Sequence, residues 1–319
     1  MDKTVELNIT DLAFDGRAVA KMNGKVVFLN AGLPGEIVLA RMVRSKRNFN
    51  EAVVLDILSK SDERIEPVCS HFSECGGCSW QDLNYSKQLE IKRHHVTSCI
   101  ERIGGLDNVE ILDVLPSTEI FGYRNKMEFS FNVHPESGFT LGLHRRGSYA
   151  DIFDLTECHL PPGIFDRIVD WFRKYVKRNG ISVYDVNNHT GYLRFIVVRK
   201  SKNTNDLMVN IVTNYGDMPE SDKLVDELTS AFADVTTIVH NQNGQRSNVA
   251  VGEKEAVLFG SGFISEKIMD QSFRIRANSF FQTNSRQAEK LYETAFAALQ
   301  PQKTDRVLDL YCGTGSISI

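Results

Sequence analysis

The first sixty residues contain several short stretches of strand-forming sequence. Val5, Leu7 and Ile9 alternate with polar residues, the pattern of a half-buried strand. Further apolar stretches at 26–29, 36–43 and 52–58 are separated by the turn dipeptides Asp15-Gly16, Asn23-Gly24 and Pro34-Gly35. A sheet of several short strands leaves unpaired backbone groups at its edges unless it closes into a barrel. Residues 1–60 are therefore predicted to form a small β-barrel.

The middle of the chain alternates between strand and helix patterns. Strands are predicted at 126–133, 192–199, 207–213 and 235–240, and helices at 85–103, 163–177 and 221–232. This mixture predicts a central α+β domain over residues 61–265. The polar run from His240 to Asn243 is interpreted as a loop or a turn.

The last segment, residues 266–319, has a different pattern. An amphipathic helix is predicted at 284–299, with Ala288, Leu291, Tyr292, Ala295 and Phe296 on one stripe. Residues 307–311 are predicted to be a buried central strand of a parallel sheet.

Two glycines, Gly313 and Gly315, follow that predicted strand directly. Such a pair lets a ligand approach the backbone, which is typical of a Rossmann-like cofactor domain, although a plain turn between strand and helix also explains it. Ser318 stands where the dinucleotide fingerprint needs a third glycine, which disfavours a nicotinamide cofactor.

The cysteines are unevenly distributed along the chain. Cys69, Cys75 and Cys78 lie within ten residues, and Cys158 is the natural fourth member of the set. Four cysteines suit an iron–sulfur cluster or zinc. A zinc ribbon needs two close pairs, whereas here the fourth cysteine comes alone and from far away. The spacing therefore favours an iron–sulfur cluster.

Composition adds few constraints on partners. The net charge of −4 gives no general indication of nucleic-acid binding, so RNA would be bound through local patches such as the basic run from Arg41 to Phe49. A solvated strand edge is the alternative interpretation of that run. No apolar stretch is long enough for a membrane span, and the N-terminus lacks the pattern of a secretory signal. A cytoplasmic monomer without membrane contact is predicted.

Several ordered motifs together resemble the RNA 5-methyluridine methyltransferases. The first sixty residues, with Leu33-Pro34-Gly35-Glu36, look like the OB-like TRAM domain that many members carry. The other matching segments, in chain order, are Cys69-x5-Cys75-Gly76-Gly77-Cys78-x-Trp80-Gln81, Gly122-Tyr123-Arg124-Asn125-Lys126-Met127-Glu128-Phe129, Asp154-Leu155-Thr156-Glu157-Cys158, Ser279-Phe280-Phe281-Gln282-Thr283-Asn284 and Asp309-Leu310-Tyr311-Cys312-Gly313-Thr314-Gly315.

The resemblance implies two cofactors. Gln282 and Tyr311 match positions that contact S-adenosylmethionine, and Gly313 and Gly315 match the loop beneath it. The target would be a uridine in RNA, unstacked to expose carbon 5. The ligands implied for a 4Fe–4S cluster are Cys69, Cys75, Cys78 and Cys158.

The resemblance also implies that the catalytic residues lie further along. The nucleophilic cysteine and the proton-abstracting glutamate of the family are expected beyond residue 319. We therefore expect residues 1–319 to be a C-terminally truncated form that is inactive by itself. Its exposed strand edges, together with Ile317 and Ile319, are expected to make the C-terminus mobile or sticky.

Alternative functions stay open at this point. The TRAM-like domain and the cluster favour 23S ribosomal RNA as the substrate, with transfer RNA as the alternative. An RNA-binding iron–sulfur module without catalysis is a second hypothesis. An electron-transfer or radical enzyme is a third, but radical S-adenosylmethionine enzymes typically space their cysteines as Cys-x3-Cys-x2-Cys, whereas the first gap here is five residues.

Overall fold

The structure, a computed structural model, describes residues 3–313 and 315–317. The chain divides into two compact units, the first comprising residues 1–72 and 77–116 and the second residues 73–76 and 117–319. Ser318 and Ile319 lie outside the described residues. The three-domain division with limits at residues 60 and 265 stays a prediction.

A closed five-stranded barrel forms the start of the first unit, as predicted. Its strands are β1 (Thr4–Leu12), β2 (Ala18–Met22), β3 (Lys25–Leu29), β4 (Ile37–Ser45) and β5 (Phe49–Ser59). They follow one another around the barrel in the order β1-β2-β3-β5-β4; β3 pairs with β5 in parallel and the other neighbours are antiparallel. Strand β2 is not among the strands that the sequence predicts.

A buried carboxylate links the barrel to the residues that follow it. Glu36 is fully buried and accepts hydrogen bonds from the backbone N–H groups of Leu33 (2.8 Å) and Ser61 (3.4 Å). The guanidinium of Arg64 donates to both oxygens of Glu36, at 2.6 and 2.9 Å, and also to Asp82 at 2.6 Å. Burial alone would raise the pKa of Glu36, but the bonds from Arg64 and from the backbone outweigh it and lower the pKa.

One helix, α1 (Tyr85–Ser98), completes the first unit and continues as a single π-helical turn at Cys99–Ile103. Its N-terminus is capped by Asn84, whose side chain accepts a hydrogen bond from the N–H of Ser86 at 3.1 Å. Ile91 on the buried face joins the hydrophobic core of the barrel. The predicted helix is thus confirmed, with an irregular last turn.

A seven-stranded sheet forms the centre of the second unit. Its strands are β6 (Lys126–His134), β7 (Gly138–His144), β8 (Ile152–Asp154), β9 (Leu193–Lys200), β10 (Leu207–Thr213), β11 (Thr237–Gln242) and β12 (Lys254–Gly260). They lie in the order β12-β11-β10-β9-β6-β7-β8, and β10 and β11 are the parallel pair. The four predicted strands correspond to β6, β9, β10 and β11.

Two helices cover one face of this sheet, α2 (Ile164–Asn179) and α3 (Ser221–Ala231). Both were predicted. Helix α2 ends at Gly180, whose φ of 61° is the left-handed conformation that glycine adopts without strain. Phe165, Phe172 and Leu228 from the helices pack with strand residues such as Phe129 in the main core, and all four are almost fully buried.

A hairpin and a helix pack on part of the opposite face. These are β13 (Phe263–Ile268), β14 (Gln271–Arg276) and α4 (Ser285–Leu299). Ala288 and Tyr292 of α4 are buried in the core that they share with Phe281, as the stripe predicted. Leu291, Ala295 and Phe296, which the stripe also placed inside, are exposed. Asn284 caps the helix and accepts a hydrogen bond from the N–H of Gln287 at 3.0 Å.

The polar run from His240 to Asn243 is not a loop or a turn over its whole length, because its first three residues belong to β11. His240 is buried, and its Nε2 lies 2.8 Å from Oγ1 of Thr213. Burial lowers the pKa of His240, and Asp217 acts weakly in the opposite direction. The imidazole is therefore kept neutral near pH 7.

A buried arginine fixes the loop that follows β11. Arg194 on β9 has only 2% of its surface exposed, and its guanidinium donates to the carbonyl oxygens of Asn243 (2.6 Å), Gln245 (2.7 Å) and Ser247 (2.7 Å). It also lies over the ring of Tyr184 at 4.2 Å. Arg194 therefore holds the first half of the loop through its backbone, and the side chain of Asn243 donates to the carbonyls of Val249 (3.0 Å) and Val251 (2.8 Å) in the second half.

The prediction of a buried central strand at 307–311 is wrong for this structure. No strand is formed there, and Val307, Leu308 and Leu310 are 64%, 79% and 69% exposed. A parallel strand has no hydrogen bonds of its own and needs neighbouring strands to provide them. The described residues place no partner strand beside this segment, so it stays irregular.

Among the residues that the structure describes, no helix has the length and apolar character of a membrane span.

Candidate functional site

Two of the predicted metal ligands lie in the first unit and contact the same side chain. The Oε1 atom of Gln81 accepts a hydrogen bond from the backbone N–H of Cys69 at 2.8 Å. Its Nε2 atom donates to Sγ of Cys78 at 3.9 Å. Hydrogen bonds to a thiolate sulfur stabilise its charge and tune a bound cluster. Gln81 therefore donates a hydrogen bond to the sulfur of Cys78 and fixes the backbone at Cys69.

The other two predicted ligands lie in the second unit. Cys75 and Cys158 are buried in the main core, at 7% and 8% exposure. The backbone N–H of Cys158 donates to Oδ2 of Asp166 at 3.1 Å. A Cβ atom at Gly76 would stand 3.3 Å from the carbonyl oxygen of His144, tighter than an ordinary contact. Glycine thus lets this short segment lie close to β7.

The structure does not by itself identify a metal site. Over residues 3–313 and 315–317, no group of three or more His, Cys, Asp or Glu side chains is found that could hold a metal ion. The chemistry of the donors nevertheless suits the predicted cluster: all four residues are cysteine thiols, Cys75 and Cys158 are buried, and Cys78 accepts a hydrogen bond from Gln81. The cluster stays a prediction at this point.

Residues 279–284, which carry the predicted cofactor residue Gln282 and are here called the cofactor loop, join β14 to α4. The side chains of Phe280 and Gln282 are exposed, Phe280 by 71%, whereas Phe281 between them is buried against Phe273 at 5.6 Å between ring centroids. The loop therefore presents Phe280 and Gln282 outward and uses Phe281 as an anchor.

The remaining predicted cofactor residues lie near the C-terminus. Tyr311 is fully exposed and has a φ of 64°, which is unusual for a residue with a Cβ atom. Gly313 and Gly315 have φ values of 56° and 73°, so their positions favour glycine. The N–H of Gly315 donates to the carbonyl of Cys312 at 2.8 Å, which makes a tight turn. Their contact with a cofactor stays a prediction.

Sequence reasoning missed the residues that hold the cofactor loop. Asn125 is 4% exposed, and its Nδ2 donates to the carbonyl oxygen of Gln282 and to Oγ of Ser285, both at 2.9 Å. Arg199 is 3% exposed, and its Nη2 donates to the carbonyl oxygen of Ser279 at 2.9 Å. Burial lowers the pKa of Arg199 to about 10, which leaves it charged at pH 7. Asn125 interrupts the apolar alternation of residues 127, 129 and 131, and that interruption was the available signal.

A second candidate site is the cation–aromatic surface of the barrel, which we define as Arg17, Phe28, Arg44, Lys46 and Phe49. The rings of Phe28 and Phe49 are edge-on, 5.6 Å between centroids. Arg17 lies over Phe28 at 4.4 Å and Lys46 over Phe49 at 5.2 Å. All the basic side chains from Arg41 to Arg47 are exposed. Cations beside aromatic rings are the groups that bind single-stranded nucleic acid.

Two family models match the chain. Residues 2–55 match the TRAM domain, and residues 218–319 match the family described as tRNA (Uracil-5-)-methyltransferase. The first match coincides with the barrel. The second includes the cofactor loop and the predicted glycine turn.

Curated relatives match over almost the whole chain. An "uncharacterized RNA methyltransferase" of Chlorobaculum tepidum is 36% identical over 333 residues, which cover 99% of this chain and 69% of the relative. The chain belongs to the RNA methyltransferases. A protein described in the same words, from Caldanaerobacter subterraneus subsp. tengcongensis, is 35% identical over 99% of this chain and 70% of its own length.

A solved structure extends this family assignment to the fold. The Pyrococcus abyssi tRNA (uracil-54, C5)-methyltransferase, in complex with S-adenosyl-L-homocysteine, matches with a TM-score of 0.75 and 28% identity. The match covers 98% of this chain and 69% of that protein. The neighbour thus shares this fold and binds the product form of the methyl donor.

Proposed function

We propose that the protein methylates carbon 5 of a uridine in RNA, with S-adenosylmethionine as the methyl donor. The observation that carries the proposal is the solved uracil-5-methyltransferase that matches almost the whole chain and holds S-adenosyl-L-homocysteine. Gln282, Tyr311, Gly313 and Gly315 are the residues that we assign to the cofactor.

The chemistry requires groups beyond the cofactor site. Carbon 5 of uracil is a poor nucleophile toward a sulfonium methyl group. A thiolate that adds to carbon 6 makes carbon 5 enolate-like, so that carbon 5 takes the methyl group from the sulfonium. A base then removes the proton from carbon 5, which expels the thiolate from carbon 6 and restores the 5,6 double bond. The expectation that these two groups follow residue 319, and that residues 1–319 are inactive alone, stays a prediction.

We assign 23S ribosomal RNA as the substrate on the family resemblance, in which a TRAM domain together with the cluster cysteines favours ribosomal RNA. Transfer RNA is the second candidate, since the solved neighbour is named a transfer-RNA enzyme. The cytoplasm, where both RNAs occur, is the proposed location. The protein is proposed to act as a monomer.

Deletion of the gene tests the reaction and the substrate together. After deletion, purified 23S ribosomal RNA and transfer RNA are digested to nucleosides, and 5-methyluridine is measured by mass spectrometry. Loss from 23S ribosomal RNA is the expected result, and a plasmid copy of the gene should restore it. Loss from transfer RNA alone would establish the alternative substrate. Full 5-methyluridine in both RNAs would overturn the proposal.

The cation–aromatic surface of the barrel is proposed to hold the RNA outside the reaction centre. Residues 1–60 have nine Lys and Arg against seven Asp and Glu, a local charge of +2 in a chain of −4. Phosphate contacts from the exposed basic side chains release counterions, so the affinity should fall with salt. The rings of Phe28 and Phe49 offer stacking for unpaired bases.

A 4Fe–4S cluster is proposed to bind to Cys69, Cys75, Cys78 and Cys158. The spacing of the cysteines and the hydrogen bond from Gln81 to Cys78 support it. Anaerobically purified protein is expected to be brown and to contain about four irons per chain. Stoichiometric zinc without iron would refute the assignment.

A matched pair of variants locates the cluster ligands. Cys158→Ser should lose the iron, whereas Cys99→Ser should retain it, because Cys99 lies in the π-helical turn after α1 and is not among the proposed ligands. Equal iron content in the two variants would show that Cys158 is not a ligand.

A further inference from the structure

The cofactor loop, residues 279–284, is held in place mainly through its own backbone. Asn125 is the first anchor: its N–H donates to the carbonyl of Thr283 at 2.7 Å, and its Nδ2 donates to the carbonyl of Gln282 and to Oγ of Ser285. Its own carbonyl accepts from the N–H of Lys200 at 2.9 Å, which joins β6 to the end of β9. Asn125 therefore connects the central sheet directly to the loop.

Arg199 is the second anchor, at the other end of the loop. Its guanidinium donates to the carbonyl of Ser279 and lies on β9, one residue from Lys200. The register pairs Arg199 with Lys126, the residue after Asn125. Asn125, directly before β6, thus lies close to Arg199 on the neighbouring β9, and each binds a different end of the loop.

A buried carboxylate supports the same junction. Glu266 is 1% exposed and accepts hydrogen bonds from Oγ of Ser285 (2.9 Å), from Oγ of Ser201 (2.8 Å) and from the backbone N–H of Lys202 (2.9 Å). Ser285 donates to Glu266 and accepts from Asn125, so the first residue of α4 has both roles of its hydroxyl satisfied. The start of α4 is thereby fixed together with the loop.

These contacts do not use the exposed side chains of Phe280 and Gln282. The anchors bind the carbonyl oxygens of Ser279, Gln282 and Thr283, and only Phe281 uses its side chain for packing. A loop whose backbone is fixed while its outward side chains stay available is preorganised for a ligand.

We propose that Asn125 and Arg199 are positioning residues for S-adenosylmethionine: they hold the loop so that the Gln282 side chain meets the cofactor. The inference rests on the proposed function, in which Gln282 contacts that cofactor. Asn125 and Arg199 act through the loop and do not themselves touch the ligand. Loss of either anchor lets the loop shift, and a shift of about 1 Å can reduce the performance of a site about a hundredfold.

The test measures S-adenosylmethionine binding to this chain by ligand-observed NMR titration, which also detects weak binding. Asn125→Ala and Arg199→Met are expected to weaken binding about tenfold or more, within the range of a displaced contact. Amide hydrogen exchange at residues 280–283 should become faster in both variants. Asn132→Ala is the matched control, because Asn132 lies on β6, the strand that begins directly after Asn125, and donates to a carbonyl, that of Ala150 at 2.8 Å. It should change neither measurement.

Asn125→Asp tests the hydrogen bond to the loop through the pH dependence of cofactor affinity, which a general effect on folding would not reproduce. A carboxylate cannot donate to the carbonyl of Gln282, but a protonated carboxyl group can. Cofactor affinity of this variant should therefore recover as the pH falls, while the affinity of the unchanged chain does not rise. A flat pH profile in the variant would overturn the positioning role, even if Asn125→Ala fails to fold.

Gln282→Ala separates this inference from the proposed function. If Gln282→Ala loses binding and Asn125→Ala binds like the unchanged chain, the positioning role is wrong and the cofactor assignment stands. If Gln282→Ala binds like the unchanged chain, the assignment of Gln282 is wrong and the positioning role falls with it. Weakened binding in Gln282→Ala, Asn125→Ala and Arg199→Met, with Asn132→Ala unaffected, supports both.

Discussion

Replacement of Arg64 by Met should strongly destabilise the first unit. The change removes two of the four hydrogen-bond donors to the buried carboxylate of Glu36, those at 2.6 and 2.9 Å, together with their positive charge. The two backbone donors, from Leu33 and Ser61, stay in place. Removal of one partner from a buried ion pair typically costs about 3–5 kcal/mol because the other charge is left uncompensated. The total free energy of unfolding of a typical domain is about 5–15 kcal/mol, so this loss is a large share of it.

The pH dependence of this loss follows from the same carboxylate. In the unchanged protein the pKa of Glu36 is lowered from its ordinary value of 4.5. The ionised carboxylate therefore stabilises the folded state above pH 4.5, and this stabilisation is lost as the pH falls below that value. In Arg64→Met, burial would instead raise the pKa of Glu36 above that value. The variant should then regain stability as the pH falls from 7 to 5, by up to about 1.4 kcal/mol per pH unit.

Urea unfolding at pH 7 and pH 5 measures both effects. Trp80 packs against the barrel core and reports on the first unit; Trp171→Phe removes the other tryptophan of the chain. The control is Lys87→Gln, since Lys87 and Glu90 are also 2.6 Å apart but are 36% and 64% exposed. An exposed pair of this kind contributes less than about 0.5 kcal/mol. Equal losses in the two variants would refute the argument from burial.

Three further predictions concern the second unit and the barrel. His240→Gln should flatten the pH dependence of the free energy of unfolding near pH 6. The pKa of His240 is lowered from its ordinary value of 6.5, so the neutral imidazole stabilises the folded state above pH 6.5 and this stabilisation is lost as the pH falls. Identical urea-unfolding profiles of the variant and the unchanged protein from pH 7 to 5 would contradict this. Arg194→Met should speed amide exchange across residues 243–251 and cost more than about 2 kcal/mol, since three carbonyls lose a charged donor; unchanged exchange would count against it. In filter-binding titrations over a salt series, Phe49→Ala should weaken single-stranded RNA binding by about 1–3 kcal/mol with an unchanged salt slope, whereas Arg44→Ala should reduce the slope by about 0.7; the reverse pattern would exclude stacking by Phe49.

The barrel and most helices could be predicted from the sequence because their signals are local. Alternation at Val5, Leu7 and Ile9 and the glycine at 180 need no knowledge of distant residues. Strand β2, by contrast, consists of two alanines, a valine, a lysine and a methionine, and it lacks the continuous apolar run that made the equally short β3 recognisable. The edge strand β12 was not predicted either: it contains an apolar run at 256–259, but nearly all of its side chains are exposed, so its place in the sheet depends on pairing with β11.

The failures arose where a residue depends on distant parts of the chain. Residues 307–311 have the composition of a buried strand, yet strand formation requires neighbours that the pattern itself cannot supply. His240 and Asn241 look like turn residues, but Thr213 and Asn210 across the sheet satisfy their side chains, at 2.8 and 2.9 Å. The role of Asn125 likewise depends on carbonyl oxygens nearly 160 residues away, which no local pattern reveals.

The anchoring of the cofactor loop through backbone oxygens has a consequence for how its specificity can change. Asn125 and Arg199 recognise carbonyl groups, which every amino acid possesses, so the path of the loop is independent of the side chains at 280 and 282. Substitutions at these two positions can alter what is recognised while the scaffold persists, whereas Phe281 must stay large and apolar. Natural drift and directed evolution should therefore find new ligand preferences at 280 and 282 without a penalty in folding.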